Sequence, residues 1–213
     1  LRIESGRIVD NEKQQALSGL REIAKIHTGD FRLTPNQNLI IASVSEQQRA
    51  RIDDLVAKHA LDNYLRSSAM RLYALACVAL PTCTLAMAEA ERYLPEFLTK
   101  VEVLLEKYSL EQAPILLRLS GCPNGCSRPY LGEIALVGKA LGRYNLHLGA
   151  DFQGRRLNRL FKENIDETEI LEILESLLSD YSIHRLHAEA FGDYLYRSGV
   201  LVAPTSIALE LLP

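Results

Sequence analysis

The 213-residue sequence predicts an α/β fold of the α+β kind, a mixed sheet with flanking helices. Three observations predict it. Strand-like and helix-like stretches alternate along the chain, with apolar residues recurring at a period near two in the first and near 3.6 in the second. Strong turn residues separate them. The composition, 47% hydrophobic and 24% charged, is that of an ordinary globular protein able to bury a core.

Taken in order, L-R-I and R-I-V read as strand at the start. A-L-S-G-L-R-E-I-A-K-I-H then places Leu17, Leu20, Ile23, Ala24 and His27 on one helical face. F-R-L-T, the break P-N-Q-N and L-I-I-A-S-V read as two short strands around a polar turn. Ser45 with Gln48 fits a capping box for a helix over Q-Q-R-A-R-I-D-D-L-V-A-K-H-A. Residues 1–62 thus form a strand, helix, strand, helix unit, and residues 63–76 show no clean period. T-L-A-M-A-E-A-E-R-Y-L is rich in helix formers, and Pro95 fits the first turn of a helix through E-F-L-T-K-V-E-V-L-L-E-K-Y. P-I-L-L-R-L-S, E-I-A-L-V-G-K and Y-N-L-H-L-G-A read as strands. In the last, Tyr144, Leu146 and Leu148 alternate with Asn145 and His147. Asp166 and Glu169 cap a final long helix.

A net charge of -3 leaves no basic field to attract nucleic acid or an anionic membrane. No apolar stretch approaches the roughly 18 residues of a membrane span, and the opening L-R-I-E-S-G-R is not a secretory signal. The sequence therefore predicts a cytoplasmic, reducing location, where thiols serve as ligands, catalysts or core residues rather than disulfides. Leu1 in place of a methionine suggests a piece of a longer protein.

The four cysteines fall in two pairs, A-C-V-A-L-P-T-C with Cys77 and Cys83, and S-G-C-P-N-G-C with Cys122 and Cys126. C-x5-C is wide for a zinc knuckle, which pairs cysteines two to four residues apart. Pro and Gly bracket both pairs and hold backbone in tight loops whose inward amides suit an anion. A [4Fe–4S] cluster on four thiolates accounts for number, pairing and loops together. A strained zinc site and inert buried thiols remain the alternatives.

These strings, with G-E-I-A-L-V-G-K-A-L-G-R-Y-N-L-H-L-G, T-P-N-Q-N-L-I-I-A, T-C-T-L-A-M-A-E-A-E-R-Y-L-P and L-F-K-E-N-I, resemble the siroheme-[4Fe–4S] nitrite/sulfite reductase family. Within it they resemble the C-terminal half of the sulfite reductase hemoproteins, over residues 1 to about 200. The resemblance implies that residues 1–62 are a partial ferredoxin-like domain and residues 63–213 the siroheme- and cluster-binding domain. It implies cluster ligation by Cys77, Cys83, Cys122 and Cys126, with Cys126 also the axial thiolate of siroheme. Siroheme carries many carboxylates, and Asn36, Gln37, Asn38, Arg71, Asn124 and Arg128 lie in the matching motifs as candidate contacts.

The implied activity is six-electron reduction of sulfite to sulfide, with electrons from an NADPH-fed flavoprotein or a ferredoxin. Implied partners are these donors and the N-terminal half of the same protein, which would carry the sulfite-clamping cations. The departures are small: Ala79 and Leu80 where relatives often carry Ser and Phe, and Ser127 where Gly is common. Two rival readings stay open, a siroheme nitrite reductase and a non-catalytic zinc-stabilised module. The basic run Arg155, Arg156, Arg159 and Lys162 reads either as a solvated face or as a dock for an acidic electron donor.

Overall fold

The computed structural model describes residues 1–202; the last eleven residues of the expected second domain, 203–213, lie outside the described residues. Two sheets are present. The first is a hairpin of β1 (Asp30–Leu33) and β2 (Leu39–Ala42), with Asp30 opposite Ala42 and Leu33 opposite Leu39. Helices α1 (Ala16–Ala24) and α2 (Glu46–Lys58) accompany it. Ala16, Ile23, Ile52, Val56 and Leu61 form its small core.

The sequence misplaces the inner face of α1. Ala16, Gly19 and Ile23 are buried, whereas Leu17 is exposed and Ala24 faces outward. Gly19 decides the rotation. A Cβ there would stand 2.7 Å from the Cβ of His59, so the helix turns its glycine, not its leucine, towards the end of α2. The capping box expected at Ser45 does not form. The Ser45 hydroxyl donates to Gln48 Oε1 at 3.2 Å, side chain to side chain, while Gln48 Nε2 donates to the carbonyl of Ile26 at 2.6 Å, which ties the entry of α2 to the exit of α1. The expected opening strand is absent too. Leu1 exchanges backbone bonds with Leu39, but Ile3 donates to the Asn38 side chain, and the chain then turns at Glu4–Gly6.

The second sheet has the order β3-β4-β5-β6-β7. Its strands are β3 (Leu75–Ala76), β4 (Leu117–Ser120), β5 (Ile134–Ala140), β6 (Arg143–Leu148) and β7 (Arg159–Ile165). The first three run parallel and the last three antiparallel. Short α3 (Ala69–Tyr73) leads into β3, and α4 (Leu94–Lys107) connects β3 to β4. Pro95 sits in the first turn of α4, where its missing amide costs nothing. α5 (Glu167–His184) starts on the expected capping box: Asp166 accepts from the Glu169 amide at 3.1 Å and Glu169 accepts from the Asp166 amide at 3.2 Å. α6 (Phe191–Arg197) follows.

One core joins α4 (Phe97, Val101), α5 (Ile170, Leu174) and α6 (Phe191, Leu195) to Leu117, Leu119, Ile134, Leu136, Leu146 and Leu148 of the sheet. The alternation foreseen for β6 holds, with Tyr144, Leu146 and Leu148 buried. Residues of opposite parity on β4 and β5 (Arg118, Ser120, Ala135 and Val137) are also buried, yet Ala135 and Val137 do not join that cluster. The turn Pro129–Leu131, at the end of the second cysteine loop, lies against β4 and β5. The sheet thus has helices on one side and the cysteine loop against the other.

Residues 84–93, rich in helix formers, are not helical. Their amides are committed to the cysteine loops: Met87 and Ala88 both donate to the carbonyl of Gly121, and Glu91 donates to that of Cys77. Among the described residues no helix is long and apolar enough to cross a membrane.

Glu133 anchors α6. It is fully buried, accepting from the Leu116 amide and the Gly192 amide, each at 2.8 Å. Burial pushes its carboxyl up from 4.5 to about 7, against the pull of those two amides. Between these values the folded chain binds a proton that the unfolded chain has released, so Glu133 contributes less stability as pH rises through the window. Glu133→Gln turns an NH2 towards one of the two amides and should cost about 1–3 kcal/mol. The gap between wild type and variant, read by urea unfolding at a series of pH values, should be widest below 4.5 and narrow towards 7. A gap that widens with pH would show that the folded chain prefers the ionised carboxylate.

Candidate functional site

Cys77 follows β3 directly and continues its pairing, its amide donating to the Leu119 carbonyl at 3.1 Å. The chain then turns through Ala79, at φ 48°, and a cis Leu80–Pro81 peptide to Cys83, whose amide returns to the Ala79 carbonyl at 2.8 Å. The second pair stands where β4 ends. Gly121 and Cys122 leave the strand, Gly125 takes φ +72°, and the Arg128 amide closes the loop on the Gly125 carbonyl at 2.8 Å.

The two loops meet at Gly121. Its amide donates to the Cys77 sulfur at 3.2 Å, and its carbonyl accepts from Met87 and Ala88. A Cβ on Gly121 would stand 2.5 Å from the Cβ of Ala79 and 2.7 Å from the Ala88 carbonyl oxygen. A Cβ on Gly138 of β5 would collide with the Gly121 carbonyl from the other side. Glycine at both positions is what lets the backbones approach so closely.

All four thiols are free. Cys122 is buried, Cys77 and Cys83 are half-buried, and Cys126 is exposed. Burial pushes the Cys77 thiol up, and Cys126 and Cys122 lie near enough to add like-charge repulsion; the amides of Gly121 and Ala79 pull the other way. The first pair thus meets the second loop at the Cys77–Gly121 contact, one residue before Cys122, with Cys83 six residues further along the first loop. Among the described residues no three His, Cys, Asp or Glu side chains converge as ligands of one metal ion. A single zinc would need its thiolates about 2.3 Å from one point. Free thiols on two interlocked loops, with amides aimed at sulfur, fit the donor set of a multi-iron cluster.

The other candidates divide. The turn at 34–38 approaches both cysteine loops. Gln37, at φ 60°, donates through Nε2 to the Ala76 carbonyl at 2.8 Å, while its buried Oε1 has no partner. Arg128 donates to the Pro35 carbonyl at 2.7 Å and to Asn36 Oδ1 at 3.1 Å. Asn38 holds the Ile3 amide. Asn124 is exposed at the tip of the C-P-N-G-C loop. Arg71 lies elsewhere, in a network with Glu102 at 2.5 Å and Glu4 at 3.3 Å that occupies much of its guanidinium. In the basic run, Arg155 pairs with Asp151 and Arg156 with Asp193, each at 2.7 Å, and Arg156 also stacks 4.4 Å over Tyr196.

Sequence reasoning passed over Arg118 and Ser120, and used Gly121 only as a turn residue bracketing the second cysteine pair. Arg118 is 5% exposed; it donates to the Tyr73 carbonyl, and its Nε has no partner. Burial, and then the charge of Arg128, lower it to about 10. A polar side chain in R-L-S-G-C, flanked by leucines in a strand that enters a cysteine motif, was the available signal.

Residues 1–59 match the family described as the nitrite/sulfite reductase ferredoxin-like half domain. The sulfite reductase [NADPH] hemoprotein beta-component of Xylella fastidiosa is 60% identical over 205 residues, which are 96% of this chain. The chain belongs to the nitrite/sulfite reductase family. The protein of the same description in Xanthomonas oryzae pv. oryzae is 59% identical over 220 residues, 100% of this chain. The chain spans only 36% and 39% of these two relatives. Two solved structures share the fold. The NirA protein of Mycobacterium tuberculosis matches with a TM-score of 0.68 and 24% identity over 85% of this chain and 35% of that one. Dissimilatory sulfite reductase I matches with a TM-score of 0.59 and 12% identity over 86% of this chain and 63% of that one.

Gly121→Ala should force the two loops apart and cost about 1–3 kcal/mol, the usual penalty of overpacking. Ala79→Gly removes one of the clashing methyls at a positive-φ position that suits glycine. The double variant should therefore regain part of the lost stability in urea unfolding. Additive losses would show that the two positions are not in contact.

Proposed function

We propose that this chain is the C-terminal part of an assimilatory sulfite reductase, in which Cys77, Cys83, Cys122 and Cys126 would hold a [4Fe–4S] cluster and Cys126 would also help to hold siroheme. The observation that carries the reading is the meeting of the two cysteine loops at Gly121, with a backbone amide already aimed at the Cys77 sulfur. The roughly 60% identity to hemoproteins named for sulfite reduction supports it. When bound, the coupled pair of cofactors would supply electrons singly to a substrate that needs six.

The residues of this chain would hold and shield that centre. Cys122, the buried thiol, suits a ligand of the cluster alone, whereas exposed Cys126 suits a thiolate with a second contact. The amides of Gly121 and Ala79 offset the negative charge gathered on sulfur. The free Oε1 of Gln37 and the exposed Asn124 suit polar contacts with the siroheme periphery, and Asn36 and Arg128 would brace the turn that presents Gln37. Arg71 would act at a distance, through Glu4 and Arg2, whose Nε donates to the Arg71 carbonyl at 3.1 Å.

We place the boundary between a partial ferredoxin-like domain, 1–62, and a cofactor-binding domain, 63–213. The N-terminal half of the same protein would complete the substrate site. An NADPH-fed flavoprotein or a ferredoxin would deliver electrons, in a cytoplasm that keeps thiols reduced.

In the full-length protein, purified anaerobically, Cys77→Ser, Cys83→Ser and Cys122→Ser should each lower iron and acid-labile sulfide. Cys126→Ser should also alter the siroheme absorption bands. Wild-type iron and sulfide in Cys77→Ser and Cys83→Ser would make the first pair structural. Zinc without sulfide in the wild type would overturn the reading outright.

A further inference from the structure

β4 ends in Ser120, and Ser127 directly follows the last cysteine of the loop that β4 launches. The two hydroxyl oxygens lie 2.6 Å apart, and both residues are buried, 1% and 4% exposed. The Ser127 amide also donates to the Ser120 oxygen, at 3.4 Å. Each hydroxyl has one proton to give and can accept through two lone pairs. One proton of the two is used within the pair. The other finds no acceptor among the described residues, since neither hydroxyl makes any further hydrogen bond.

A buried donor left unsatisfied costs about 1–3 kcal/mol, so a place that keeps one normally offers it an acceptor. The location says which kind. Ser120 precedes Gly121, whose amide already points at the Cys77 sulfur, and Ser127 adjoins Cys126. The hydroxyl pair therefore sits where the two cysteine loops join. A cluster held by these loops would lie beside Gly121 and Cys126, the residues next to the pair in the chain.

We propose that the Ser120–Ser127 pair gives its surplus hydrogen bond to a sulfur of the cluster held by the four cysteines, and so raises the cluster's reduction potential. This rests on the cluster reading above. A one-electron reduction adds negative charge to the sulfurs, and a donor aimed at them stabilises the reduced form more than the oxidised one. No proton is transferred and no bond is broken. Ser120 and Ser127 act as positioning residues, tuning the cluster without ligating it.

The test is a redox titration followed by electron paramagnetic resonance, on the full-length protein purified anaerobically, after iron and acid-labile sulfide have been counted. The double variant Ser120→Ala/Ser127→Ala should keep its iron and sulfide and shift the cluster midpoint to more negative potential, and so should whichever single alanine variant removes the hydroxyl that donates to sulfur. Ser120→Thr, which keeps the hydroxyl, should stay near wild type. An exchangeable-proton coupling to the cluster, seen by electron–nuclear double resonance before and after transfer to heavy water, should weaken in the double variant and in that same single alanine variant. If Ser127→Ala does not assemble, Ser127→Gly removes the hydroxyl without needing added space. A double alanine variant with full iron and sulfide, unchanged potential and unchanged proton coupling would reduce the pair to a structural pin and overturn the proposal. A wild-type protein lacking iron and sulfide would instead fail at the metal count, and would overturn the cluster reading itself.

Discussion

The site depends on one backbone approach. Gly121 is pressed between Ala79 and Ala88 on one side and Gly138 on the other, so the two cysteine loops share a single point of contact. A parallel ladder sets this up: Cys77 continues β3 alongside Leu119, and β4 then delivers Gly121 one step further on. Pairing is fixed before the loops begin, so cysteines 45 positions apart in sequence reach the same place without help from a disulfide. The helices α4, α5 and α6 serve this arrangement by burying the opposite face of the sheet.

Much of this was legible in the sequence. The strands at 117–120, 134–140 and 143–148 announced themselves by apolar runs and alternation, and the start of α5 by Asp166 and Glu169. The cysteine spacing and its bracketing by Pro and Gly pointed to the site and to its chemistry. Family likeness supplied what spacing could not, namely a candidate division of labour between Cys122 and Cys126.

What was missed was missed for physical reasons. Residues 84–93 have helical composition but lose their amides to Gly121 and Cys77, a long-range demand that no local propensity registers. Helix α1 turns on a glycine whose value lies in the space it leaves, which hydrophobic periodicity counts as nothing. Ser45 and Gln48 found each other, but side chain to side chain, so neither reaches the backbone amide that a capping box requires. Ser120, Ser127 and Arg118 are polar groups inside a buried strand and loop, and apolar patterning passes over such positions by construction.

The turn at 34–38 also changes what a domain boundary means here. Gln37 is fastened to the residue before Cys77, and Arg128, two residues past Cys126, is fastened to Pro35 and Asn36. The smaller unit thus clasps both thiol loops at their outer ends. A cut between residues 62 and 63 would divide the sequence neatly but leave each loop without one of its moorings. Any ancestral duplication, fusion or engineered split of this region would have to carry that turn along with the cysteines, because the two modules meet as latch and catch rather than as beads on a string.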